Sequence, residues 1–299
     1  MTDAPVTIVA VHAHPDDESI FSGLALAKAA RLGHKVYNVT CTLGEEGEVI
    51  GDGLARLVTT EQRADGTGLL GGYRLAELQR ALQSLDLIAG PIFLGGVGRW
   101  RDSGMENTPT IAHPRAFANP DKPEAFQLQV AQLIELFQKL QPDIVITYDP
   151  EGGYGHPDHK QAHKITHAAV EQLDEASRPK QLLWCVNDRQ AVEEGLDGLG
   201  DEDIPDGWSF GAISTVNPDQ VSFTITGEDA DIAAKAAAMA AHATQVIVDG
   251  PLFAPVSYTH LRAHETSLPI HTAQSAVSYT HLTLPTTCNL CRSRWSPYH

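Results

Sequence analysis

Thr7-Ile-Val-Ala-Val11 is an uninterrupted apolar run that stops at His12-Ala-His14-Pro15-Asp16-Asp17-Glu18. A strand covered by helices on both faces reads this way, without alternation, and belongs to a parallel sheet. Ser19 to Arg31 follows as a helix closed by Gly33, which completes one βα unit. Working outward, Val36 to Cys41 reads as a second strand, Tyr73 to Leu85 as a helix with Leu75, Leu78 and Leu82 on one stripe, and Pro91 to Leu94 as a third strand. Glu124 to Leu140 is amphipathic, Ile144 to Tyr148 is another apolar strand, and Asp158 to Glu175 another helix. The rhythm predicts an α/β fold: a Rossmann-like, mainly parallel sheet with helices on both faces. A smaller C-terminal α+β part follows, with strands at Gln181 to Val186 and Val221 to Thr226, an acidic loop from Glu193 to Asp206, and an Ala-rich helix from Asp229 to Ala243. This part is expected to pack on the sheet edge, so residues 1–255 read as one domain with a core of 1–180 and a C-terminal part of 181–255.

Residues 256–299 read differently. Val-Ser-Tyr-Thr-His-Leu occurs at Val256 to Leu261 and again at Val277 to Leu282. Repeated structural units are degenerate over whole elements, whereas this is one short identical word in unrelated text. It back-translates to the transposase adapter end of sequencing libraries, so the segment reads as a non-native, adapter-derived tail. The Cys288-x-x-Cys291 pair within it lacks the second pair that a zinc ribbon needs.

Composition narrows the function. In 299 residues, 42% hydrophobic, 21 Lys and Arg face 38 Asp and Glu, a net charge of −17, which argues against a partner held by phosphate neutralisation. No nucleic acid is expected. No apolar run approaches the ~20 residues of a bilayer span and no basic segment precedes Val6 to Val11, so no membrane is expected and the address is cytoplasmic. Cys41 and Cys185 lie in apolar strand text and read as core residues. Fourteen histidines point instead to metal.

In open parallel sheets the functional crevice lies beyond the carboxyl ends of the strands. Three segments there are rich in chemistry: His12 to Glu18, Gly44-Glu45-Glu46-Gly47-Glu48, and Gly152-Gly-Tyr154-Gly-His156-Pro-Asp158-His159. No G-x-G-x-x-G follows the first strand, so a dinucleotide is not the expected ligand. Asp16, Asp17 and Glu18 repel one another in a low-dielectric crevice unless a cation compensates them. A helix start alone would account for Glu18, but not for His14 or for imidazoles from a distant loop. His14, Asp17 and His159 supply two nitrogens and one oxygen, the donor set of a catalytic zinc with an open position. Asp16 is left over, beside the metal and free to take a proton. Zinc lowers the pKa of bound water from 15.7 to about 7, on the order of 12 kcal/mol, which suits amide hydrolysis.

His14-Pro-Asp-Asp-Glu18 with His156-Pro-Asp-His159 resembles the zinc-dependent N-acetylglucosamine deacetylase superfamily of the LmbE/PIG-L type. Thr40 to Asp52, Leu70 to Arg74, Gly98 to Gly104, Thr147 to Pro150 and Ala240 to Gln245 resemble its mycothiol-pathway branch, with a departure at Leu69-Leu70 and its glycine-rich flanks. The resemblance implies hydrolysis of the N-acetyl group of a GlcNAc-inositol and a small glycoside substrate. One Zn2+ per chain is implied, with Fe2+ as the alternative, held by His14, Asp17 and His159. Asp16 is implied as the base, His156 oriented by Asp158 as the acid or charged stabiliser, Tyr154 as an oxyanion partner, and Glu48, Arg74 and Asp102 as groups for sugar and inositol hydroxyls. Arg74 reads as a loop residue aimed at the crevice, while Asp102 reads equally well as a loop ion pair with Arg99 or Arg101. His163 and His167 share the His159 face and read as packed, His242 as structural, and His12 as a sheet-layer or supporting residue. Two other readings stand beside the first: a mycothiol S-conjugate amidase, and a non-catalytic sugar-binding protein.

Overall fold

The N-terminal apolar run is strand β1 (Thr7–His12), and it is the central one of the five parallel strands. In the computed structural model, which describes residues 4–58, 69–198, 208–210, 213–249, 252–255, 273–276 and 287–292, β2 (Lys35–Thr40) and β4 (Ile144–Tyr148) flank β1, both parallel to it. β3 (Ile92–Phe93) pairs parallel with β2, and β5 (Gln181–Val186) parallel with β4. Side chains alternate across this layer, so the two faces have separate cores. Val9, Val11, Val39 and Val145 meet Val130, Leu133 and Phe137 of helix α4 (Pro123–Leu140) and Ala162, Ile165 and Ala169 of α6 (Pro157–Gln172). Ile8, Ala10, Val36 and Ile146 meet Leu24 and Leu26 of α2 (Gly23–Arg31), Ala81 of α3 (Leu69–Ser84) and Ala238 of α8 (Asp229–Ala241). The remaining helices are the single turns α1 (Asp17–Ile20) and α5 (Gly152–Gly155), and α7 (Arg189–Asp197).

Phe137 is fully buried at the C-terminal end of the α4 stripe. Phe137→Ala is expected to destabilise the fold by about 3–5 kcal/mol, read as a lower denaturant midpoint at unchanged slope.

Three sequence expectations change. The helix expected from Ser19 to Arg31 is broken at Phe21–Ser22 because the Ser22 hydroxyl bonds back to the Glu18 carbonyl at 3.2 Å and sits 3.2 Å from His12 Nε2. The helix expected from Tyr73 begins at Leu69, which carries Gly71 and Arg74 into it. Gly71 is not a loop signal there: a Cβ would lie 2.9 Å from Leu43 Cβ and Glu45 Cγ, so its absence lets α3 touch the loop after β2. The C-terminal part packs on a sheet face, not only on the edge, through α8 against α2 and α3.

β7 (Phe223–Thr226) is the far edge of the seven-stranded sheet, and β11 (Thr287–Arg292), within the stretch read as adapter-derived, lies antiparallel between β5 and β7. β6 (Trp208–Phe210) pairs with β10 (Ala273–Ala276), and β8 (Val246–Asp249) with β9 (Leu252–Pro255). The first part of the expected acidic loop, from Glu193 to Asp197, is instead the second half of α7, while its residues 199–206, and most of 256–299, lie outside the described residues. No helix among the described residues is long and apolar enough to cross a membrane.

Candidate metal centre and active site

Because β1 and β4 are parallel neighbours, the loops that leave their carboxyl ends lie side by side. His14 and Asp17 come from the first, His159 from the first turn of α6 after the second, and all three are buried. His14 Nδ1 is 3.3 Å from Asp17 Oδ2, His159 Nε2 is 3.3 Å from Asp17 Oδ1, and the two nitrogens are 3.3 Å apart. Tetrahedral bonds of 2.0–2.1 Å place donor atoms ~3.3 Å apart. The outer nitrogens complete the picture. His14 Nε2 meets Asp158 Oδ2 at 3.3 Å and His159 Nδ1 meets the Gly152 carbonyl at 3.0 Å, so each outer nitrogen has an acceptor for its proton, and the tautomers protonated there would turn both inner lone pairs toward a shared cation. Two inward lone pairs and a carboxylate on one point fit a divalent cation with room for a further ligand. His156 brings a third imidazole atom within 4.8 Å of those of His14 and His159.

Gly152, at φ 67°, packs so closely that a Cβ would lie 2.7 Å from His159 Cβ. Tyr148, the last residue of β4, stacks on the His159 ring at 4.2 Å and donates its hydroxyl to Asp17 Oδ2 at 2.7 Å, while that hydroxyl accepts the Ala13 N–H at 2.8 Å. It was not among the expected site residues, although its place at a strand's carboxyl end is the signal that marks it. Tyr148→Phe frees Asp17 from its support and is expected to weaken metal binding about 10–100-fold, measured by competition with a chelator.

Asp16 Oδ1 lies 3.1 Å from Arg74 Nη2. Burial is the main push on its carboxyl, with Asp17 adding to it and Arg74 opposing, and its pKa rises to about 6. Arg74 also donates to the Pro15 carbonyl and, at 2.9 Å, to the Gly44 carbonyl. It is therefore a buried clamp in the second turn of α3, holding the Asp16 loop and the loop after β2 together, and not the crevice-facing loop residue the sequence suggested.

His156 Nδ1 accepts the Asp158 N–H at 3.1 Å, capping α6, so the ring proton sits on Nε2. Burial, then His14 and His159, hold its pKa well below the usual value. The expected orienting role of Asp158 is corrected: its backbone, not its carboxylate, meets His156. The carboxylate instead accepts from the Ser103 N–H at 3.0 Å and meets His14 Nε2, and its second oxygen finds no partner among the described residues.

Asp102 Oδ1 is 3.6 Å from His14 Nε2, beside Asp158, while Arg101 pairs with Glu46. The ion-pair alternative for Asp102 is thus excluded. Burial pulls the His14 pKa down, yet Asp102, Asp158 and Asp17 more than offset this and raise it well above normal. Tyr154 is half-buried, its ring 5.0 Å from His159 and 6.1 Å from His156. Glu48 is half-buried on the loop after β2, its carbonyl accepting Gln245 Nε2 at 2.7 Å.

Other histidines are packed. His163 Nδ1 meets the Tyr148 carbonyl at 2.9 Å, His167 Nε2 accepts the Trp184 N–H at 2.9 Å, and His12 lies between Asn38 and Ser22. Cys41 and Cys185 are buried, as expected of core residues.

The family described as PIG-L, GlcNAc-PI de-N-acetylase, matches residues 9–170. A 1D-myo-inositol 2-acetamido-2-deoxy-alpha-D-glucopyranoside deacetylase of Corynebacterium jeikeium is 52% identical over 265 residues, covering 83% of this chain and 80% of its own length. The protein of the same name from Rhodococcus erythropolis is 46% identical over 259 residues, covering 83% of this chain and 84% of its own. Among solved structures, a deacetylase in complex with teicoplanin covers 96% of this chain and 99% of its own at a TM-score of 0.51 and 15% identity, a likeness of fold.

Proposed function

From membership of the GlcNAc-PI de-N-acetylase family, to which this chain belongs, we propose that this deacetylase hydrolyses the N-acetyl group of 1-O-(2-acetamido-2-deoxy-alpha-D-glucopyranosyl)-1D-myo-inositol, releasing acetate and the free amine for mycothiol synthesis in the cytoplasm. The observation that carries the reading is the buried His14–Asp17–His159 triangle with the carboxylate of Asp16 alongside it.

The proposed occupant is one Zn2+ per chain, with Fe2+ as the alternative the same donors accept. A divalent cation there supplies Lewis acidity, making bound water more acidic and polarising the amide carbonyl. Asp16 takes the proton of the attacking water, and Arg74 fixes the rotamer from which it does so. His156 keeps its proton on Nε2, from which it donates a hydrogen bond to the developing oxyanion, and the proton that Asp16 took from the water passes to the departing nitrogen. Tyr154 is the second oxyanion donor in this proposal. Glu48 and Asp102 line the loops that would face sugar and inositol hydroxyls.

The test is acetate release from the GlcNAc-inositol, run beside amine release from a mycothiol S-conjugate, with metal per chain measured by mass spectrometry. Acetate release with one bound metal supports the proposal. Preferred cleavage of the conjugate reassigns it to the amidase, and no metal with no turnover leaves a sugar-binding protein. We further propose that residues 256–299 are not native; a resequenced locus that reproduces both hexapeptides past Pro255 rejects this.

A further inference from the structure

Asp16 has φ 123° and ψ −32°, a left-handed backbone that a residue with a side chain keeps only when its surroundings impose it. Its N–H donates to Glu18 Oε2 at 3.1 Å. Glu18 Oε1 in turn meets His242 Nε2 at 2.7 Å. Glu18 and His242 are both fully buried, and Glu18 is the one hydrogen-bond partner of the His242 ring among the described residues, since its Nδ1 has none. His242 caps the end of α8, 224 positions along the chain.

The residues that follow brace the same frame. Thr244 donates from its N–H and hydroxyl to both oxygens of Glu77, at 2.9 and 2.6 Å, on the helix that carries Arg74. Gln245 donates to the Glu48 carbonyl. A core ion pair that served stability alone would have no reason to end on the backbone N–H of the strained residue.

We propose that His242, acting through Glu18, is a positioning residue that holds the backbone of Asp16 in its left-handed conformation and so aims the catalytic carboxylate. The inference rests on the deacetylase reading for its kinetic readout but not for its structural one. Replacing His242 with leucine takes the imidazole from Glu18 Oε1 and leaves the Ser19 hydroxyl as the other donor to that oxygen, so the carboxylate loses its long-range anchor and is free to turn from Asp16. Glutamine still offers an N–H.

In the full-length, metal-loaded chain, His242→Leu is expected to lower kcat for acetate release about 100-fold with KM little changed, while metal per chain stays that of the wild type. His242→Gln recovers most of the lost kcat. A crystal structure of His242→Leu shows Asp16 outside the left-handed region. Should the leucine variant fail to fold, His242→Asn, too short to reach Glu18, takes its place with the same expectations. An unchanged kcat, a glutamine variant as impaired as the leucine one, or an Asp16 torsion that persists without His242 overturns the proposal. A wild-type chain that releases no acetate rejects the deacetylase reading instead, and the Asp16 torsion then decides the matter alone.

Discussion

Asp16→Asn is expected to keep its metal and lose between about a hundredfold and ten-thousandfold in kcat, the range set by removal of a positioned general base. The substitution isolates proton acceptance. Asparagine matches the shape of aspartate and is among the residues that tolerate a positive φ, so the backbone at 123° is preserved. Its carbonyl oxygen still accepts from Arg74 Nη2, which lies 3.1 Å from Asp16 Oδ1. None of the three inward donors, His14, Asp17 and His159, is touched. What vanishes is the basic lone pair. Metal per chain by mass spectrometry, measured with kcat on the same preparation, checks both halves. Turnover within tenfold of wild type would mean that another group takes the proton.

His14→Ala is expected to fail in two ways at once. Its Nδ1 is one vertex of the donor triangle, so metal binding falls to background and turnover with it. Its Nε2 lies between Asp158 at 3.3 Å and Asp102 at 3.6 Å, both carboxylates buried. Without the imidazole these two face each other with nothing between them, and breaking such buried pairing costs about 3–5 kcal/mol. His159→Ala separates the two effects. It removes the other nitrogen vertex, whose outer partner is only the neutral Gly152 carbonyl, so metal is lost with a smaller change in melting temperature. Full metal occupancy in His14→Ala would refute the assignment of the centre.

Much of this was legible in the chain itself, and the reason is local. Ile144–Tyr148 and Gln181–Val186 fall where their apolar runs place them, since a strand covered on both faces has no polar position to blur its ends. The convergence of His14, Asp17 and His159 was legible because loops that leave adjacent parallel strands at their carboxyl ends share one crevice. Reach and direction were not legible. Asp158 follows His156 by two residues, yet its carboxylate serves His14, because capping α6 turns the backbone N–H to His156 and the side chain away. Gly71 and Gly72 look like a loop in sequence and are helix in space, since close approach and flexibility demand the same residue. The partnership of Glu18 with His242 spans most of the chain and leaves no periodic trace.

The adjacency of the first and fourth strands gives the molecule an uneven evolutionary economy. The ion-binding half is built on two rigid neighbours braced by the Tyr148 ring, where almost any exchange disturbs several donors together. Glu48 sits on the irregular segment after β2, outside that triangle. If Glu48 meets the substrate as proposed, selection for a new aglycone can rework that segment while the buried triangle is inherited intact.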